Sequence, residues 1–205
     1  MPGPSLTTDA IILLKRPAAD TFQSFTAFSP VHGALRLLQR IPKKPAPASV
    51  SLDLFDEVSL LLEGAPQGDA WFVKEPRLLV RHGGIGRDYD ALVRASALAT
   101  LVARNPVAEE SRASVHALLQ TALSAFATSA RPDTVYFKSL YRFARDEGYP
   151  VKQQWFPALS AADRETAAAL LNRPLAAQTA TPADVSRLLS ALETYLRHHT
   201  EIHLD

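Results

Sequence analysis

Three short apolar runs open the chain, and each meets a proline or glycine before it can complete a helix. Residues 10–14 (AIILL) are continuously apolar, Phe22, Phe25 and Phe28 carry the second run, and residues 34–38 follow a His32-Gly33 turn. Pro17, Pro30 and Pro42 stand where these runs would have to continue, so all three predict strands. Residues 41–48 (IPKKPAPA) lack apolar periodicity and predict an extended loop. Strand character returns over residues 50–62, where Leu52, Leu54, Val58, Leu60 and Leu62 alternate about a bend at Asp56-Glu57. A GAPQG turn at 64–68 then leads into a last strand over residues 71–80.

At Gly83-Gly84-Ile85-Gly86 the apolar period changes from strand-like to helical. Residues 89–104 predict one helix, ended by Asn105-Pro106. Residues 111–127 predict a second, with Val115, Leu118, Leu119, Ala122 and Phe126 on one face. Pro132 opens a third that turns Tyr136, Phe137, Leu140, Tyr141 and Ala144 inward, and Gly148 with Pro150 closes it. Capping boxes at Ser160-Asp163 and Thr181-Asp184 start two more, running to 171 and over 185–199. Leu188, Leu189, Leu192 and Leu196 form the buried stripe of the last. The pattern predicts an α+β protein: an N-terminal OB-fold-like β-barrel at residues 1–82, followed by an all-helical domain at residues 83–205. An SH3-like barrel is the competing reading of the first domain.

Length and composition narrow the chemistry. With 205 residues and 47% hydrophobic content the chain can bury a core without staples. The absence of cysteine excludes disulfides, thiolate zinc sites and cysteine nucleophiles. No stretch approaches a membrane span or a signal-peptide core, so a soluble cytoplasmic protein without membrane contact is expected. Catalysis has no candidate residues. His199 and His203 lack a third metal ligand, His32 reads as a turn residue, and the glycine cluster at 83–86 reads as a linker. No cofactor and no metal are expected.

Charge changes the picture more than the net value of +1 suggests. Residues 11–50 carry Lys15, Arg16, Arg36, Arg40, Lys43 and Lys44 against Asp20 alone, whereas residues 51–70 carry Asp53, Asp56, Glu57, Glu63 and Asp69 and no base. Lys74, Arg77 and Arg81 follow, against Glu75. Such blocks predict a basic face and an acidic face on one barrel, with an evenly solvated surface as the competing reading. A single nucleic-acid strand needs cations along a groove and flat side chains for its bases. Arg36, Arg40, Lys43 and Lys44 are the first candidates for phosphate contact, with Lys15, Arg16, Lys74 and Arg77 behind them. Phe22, Phe25, Phe28 and Phe55 are expected in the core, and one of Trp71 and Phe72, which point to opposite faces, at the surface. In the helical part, Lys138, Arg142 and Arg145 lie along one side of the helix beside Phe137 and Tyr141, a pattern suited to an acidic peptide with a hydrophobic end. A plain solvated helix face competes with it.

Four strings, TDAIILLK at 8–15, DTFQSFTAFSPVHGALRLL at 20–38, FKSLYRFARDEGYP at 137–150 and LLSALETYLRHH at 188–199, together resemble the bacterial RecO family of DNA repair and recombination mediators. The first two look like that family's opening strands, and the last two like a helix ending in a Gly-Tyr-x-Pro turn and a closing helix with paired histidines. The resemblance implies single-stranded DNA binding, annealing and recombinase loading on DNA coated by SSB, without catalysis. It also implies two protein partners, RecR and the acidic C-terminal tail of SSB. Residues 151–157 (VKQQWFP) hold none of the cysteines of the family's zinc module. Its usual Gly-Glu is Ala18-Ala19 here, and its arginine-rich stretch is thinned to Arg40, Lys43 and Lys44, which implies a weaker grip on DNA. The alternative is a protein-interaction scaffold whose helical domain docks a partner and whose barrel has lost DNA binding.

Overall fold

The computed structural model describes residues 3–19, 21–42, 50–65 and 68–204. Among these the protein is α+β, a five-stranded mixed sheet followed by six helices. The strands are β1 (Ser5–Lys15), β2 (Phe22–Ser29), β3 (Gly33–Arg40), β4 (Glu57–Gly64) and β5 (Ala70–Val80). The helices are α1 (Tyr89–Arg104), α2 (Arg112–Thr128), α3 (Pro132–Asp146), α4 (Phe156–Ala158), α5 (Ala161–Asn172) and α6 (Pro182–His199). Two compact units divide the chain: Met1–His82 with Pro106–Gln120, and Gly83–Asn105 with Thr121–Asp205.

In the first unit β1 pairs antiparallel with β2 and β4, as do β2 with β3 and β4 with β5. A short parallel ladder, Arg36↔Ala70 to Leu38↔Phe72, joins β3 to β5. The order β1-β2-β3-β5-β4 thus returns to β1 and the sheet closes on itself. Strand alternation sends Ala10, Ile12, Phe25, Ala27, Leu35, Leu37, Val58, Leu60 and Leu62 into one core. Full burial of each larger side chain contributes about 1.5–3 kcal/mol. Thr8 and Ser29, also buried, satisfy each other through their hydroxyls at 2.7 Å.

The opposite faces of β1 and β2 are covered too: Ile11, Leu13 and Phe28 are buried. For that reason AIILL reads as a continuous apolar run rather than an alternating one. On that side the segment Pro106–Gln120 supplies two side chains. Gln120 Nε2 donates to Glu57 Oε2 at 2.7 Å, and Arg112 Nη1 donates to the Val31 carbonyl at 2.9 Å.

Residues 50–56, expected as strand, are irregular. Asp56 bends them back by accepting the Asp53 N–H at 2.8 Å, and Phe55 takes a left-handed φ of 66°. A non-glycine residue held there costs on the order of 1–3 kcal/mol. Burial of the Phe55 ring and two backbone bonds, Phe55 N–H to the Ile12 carbonyl at 2.9 Å and Ile12 N–H to the Asp56 carbonyl at 3.0 Å, offset that cost. Pro76 is tolerated inside β5 because the pairing with β3 ends at Phe72, leaving that edge without a partner strand among the described residues.

In the second unit Asp88 caps α1 by accepting from the Ala91 N–H, and Asn105 ends it by bonding both the N–H and the carbonyl of His203. A side chain at Gly84 would run into the Ala127 carbonyl, so that glycine permits a close backbone approach. α3 presents Val135, Phe137, Leu140, Phe143 and Ala144 to the interior. A π-helical turn, Val151–Trp155, places Trp155 6.2 Å from the Phe137 ring and 5.9 Å from the Tyr141 ring. Ser160 caps α5, and Thr181 with Asp184 forms a complete capping box on α6.

Candidate nucleic-acid interface

The outward face of β2, β3 and β5 gathers the chemistry. Because Phe25 and Leu37 point inward, alternation turns Phe22, Ser24 and Thr26 of β2 outward, together with Arg36, Leu38 and Arg40 of β3. Register sets Phe22 opposite Arg40, Ser24 opposite Leu38 and Thr26 opposite Arg36. Leu38 in turn pairs with Phe72. Arg40 lies two residues beyond Leu38 on β3 and Lys74 two beyond Phe72 on β5, past the end of that ladder. The result is an apolar strip of Phe22, Leu38 and Phe72, all half-buried, with Arg36, Arg40 and Lys74 exposed around it. The Phe22 and Phe72 rings are 5.4 Å apart and tilted by 47°. A groove of about 440 Å³ lies over this strip, with Arg36, Leu38, Asp69 and Phe72 in its wall.

Phe25, Phe28 and Phe55 are buried as expected, but Phe22 is half-buried on the outer face. A phenylalanine at an even position of β2 can only point away from the core that Phe25 and Ala27 fill. Trp71 packs against the core and its neighbour Phe72 takes the surface side.

Charge segregation along the sequence does not become two faces in space. Each of the five acids in residues 51–70 is engaged: Asp53 by Lys15 at 3.0 Å, Asp56 by Arg81 at 2.7 Å, Glu57 by His82 at 2.9 Å, Glu63 by Lys74 at 2.6 Å and Asp69 by Arg36 at 3.9 Å. Glu63 and Lys74 meet as a cross-strand pair of β4 and β5, and the other four pairs join a strand or strand end to the turns beside it. The Lys74 hydrogen bond holds the Glu63 carboxyl below its ordinary value. Burial pushes Asp53 up, but the Lys15 hydrogen bond and the Leu54 N–H outweigh it and leave that carboxyl low.

Of the expected phosphate contacts, Arg36 lines the groove, while Arg40 and Lys74 are exposed further along β3 and β5. Arg77 is further along β5, opposite Ser59, while Lys15 and Arg16 are at the end of β1. Arg16, Arg40 and Arg77 are exposed and form no ion pair among the described residues. Lys43 and Lys44 lie outside the described residues. Sequence reasoning missed Asp69, whose signal is Gly68: a φ of 85° there turns the chain just before β5 and sets the next side chain on the groove wall.

In the second unit Phe137 and Tyr141 belong to the interior around Trp155. The Lys138 ammonium donates to the carbonyls of Leu170, Leu171 and Arg173 at 2.9, 3.2 and 2.8 Å, closing the C-terminus of α5. Burial lowers its pKa. Arg142 and Arg145 are exposed and share Asp146.

No group of His, Asp or Glu side chains among the described residues could hold a metal ion. No helix among them is long and apolar enough to cross a membrane. Neither a protein-family model nor a curated protein matches the sequence.

Proposed function

We propose that this protein is a non-catalytic mediator of DNA repair and homologous recombination, of the RecO kind. In this reading the closed sheet is an OB-fold-like barrel that binds single-stranded DNA on its outward β2-β3-β5 face. Strand binding of this sort would promote annealing and help a recombinase load onto SSB-coated DNA, in the cytoplasm at the nucleoid. One observation carries the reading: Arg36, Arg40 and Lys74 surround the half-buried strip of Phe22, Leu38 and Phe72. The cations would hold the strand while bases stack on the rings, which makes binding salt-dependent and largely tolerant of sequence. The second unit is then the site for an acidic peptide such as the SSB tail, through Arg142 and Arg145, and for RecR. The scaffold reading draws on Asp69 and Glu63, which already pair with Arg36 and Lys74.

Fluorescence anisotropy of a labelled single-stranded oligonucleotide, titrated with salt, tests this. Binding that falls steeply with salt and is lost in the Arg36→Glu, Arg40→Glu double variant is expected. No binding at low salt would overturn the DNA reading in favour of the scaffold.

A further inference from the structure

Arg36 and Asp69 line one groove with opposite charges and meet only loosely, at 3.9 Å, with side chains 62% and 86% exposed. Their placement is fixed by the ladder. Ala70 is the register partner of Arg36, so Asp69 stands one residue before the first parallel pair. The turn behind it is closed by the Ala65 N–H donating to the Ala70 carbonyl at 2.9 Å. Below them, Leu38 and Phe72 provide an apolar floor, and the Phe22 ring extends it. At about 440 Å³ the groove falls within the roughly 300–1,000 Å³ of small-ligand sites, enough for one unstacked base.

We infer that this groove reads guanine in a single strand, an inference that rests on the DNA reading above. A base stacked on Phe72 would turn its edge toward Arg36 and Asp69. Guanine alone carries two adjacent donors, N1–H and N2–H, which match the two oxygens of a carboxylate, next to acceptors at O6 and N7, which match a guanidinium. Cytosine offers Asp69 only one amino group. Thymine places a carbonyl on each side of its single N–H, so the carboxylate faces two repelling oxygens. Asp69 is therefore the specificity-determining residue, and the acid that weakens general phosphate attraction is the one that selects the base.

The test compares an all-thymidine oligonucleotide with strands of equal length carrying isolated guanines or isolated cytosines, by anisotropy at low salt. Guanine strands should bind about fivefold or more tightly than thymidine, the low end of what one bidentate base contact gives. Asp69→Ala, a change at an exposed position, should erase that preference while thymidine binding is kept or strengthened. Equal, salt-dependent binding of all strands would overturn the guanine assignment and leave the DNA reading standing, as would cytosine strands that bind as tightly as guanine ones. Failure of every strand to bind would overturn both.

Discussion

Arg81 grips Asp56 with two hydrogen bonds, Nε to Oδ1 at 2.9 Å and Nη2 to Oδ2 at 2.7 Å, and its Nη2 also donates to the Ser51 carbonyl at 2.9 Å. Asp56 is fully buried and also accepts the Asp53 N–H, so one guanidinium, past the end of β5, fastens the irregular stretch that carries Phe55 into the core. Arg81→Leu should lower stability by about 2–3 kcal/mol, because it strands a buried carboxylate that has lost a charge-assisted partner. Urea unfolding followed by circular dichroism measures it. A loss under about 0.5 kcal/mol, the range of an ordinary surface change, would contradict this role.

Two kinds of contact on the β2-β3-β5 face can be told apart by salt. Arg40→Ala should reduce the slope of log affinity against log salt by about 0.7, the effect of a single phosphate contact on a single strand. Phe72→Ala should weaken binding by about 1–3 kcal/mol with the slope unchanged, since stacking on a neutral ring releases no counterion. Equal slope changes in both variants would contradict the division of labour.

His116, half-buried on α2, is held below its ordinary pKa of 6.5 by burial, against the opposing pull of Glu57 and Asp9. The unfolded chain therefore takes up the proton more readily than the folded one. Stability should be unaffected by this group above pH 6.5, and should fall as the pH drops from 6.5 through the lower folded value. His116→Gln should flatten that part of the profile. Thermal midpoints of both proteins on either side of pH 6.5 measure it, and parallel profiles would contradict the assignment.

Period and punctuation made the five strand centres and the longer helices legible, because prolines and caps act locally. What escaped depended on partners far away in sequence. Residues 50–56 have the alternation of a strand, yet Asp56 finds Arg81 and the segment folds into a plug. Residues 151–157 have no helical signature, but Trp155 is drawn between Phe137 and Tyr141 through a π-helical turn. The candidate site was legible in part. Arg36 and Arg40 follow from alternation along β3 and Phe22 from alternation along β2, whereas the approach of Phe72 and Asp69 to them depends on the β3–β5 ladder, which no local pattern announces.

The basic residues of α3 differ in what they hold, and two measurements separate them. Lys138 supplies the only donor to the Leu171 carbonyl among the hydrogen bonds described here, while Gln178 also reaches those of Leu170 and Arg173. Lys138→Met keeps the apolar stem and removes the ammonium, so it should cost about 1–2 kcal/mol through a carbonyl left without its partner. Arg142 and Arg145 sit on the surface with Asp146, where removing a pair costs under about 1 kcal/mol. The Arg142→Ala, Arg145→Ala double variant should therefore unfold close to the parent midpoint in urea, yet bind an acidic peptide with a hydrophobic C-terminus several-fold less well by calorimetry. Unchanged peptide affinity in the double variant would remove α3 from the partner surface, and an unchanged midpoint in Lys138→Met would show that the α5 carbonyls do not need it.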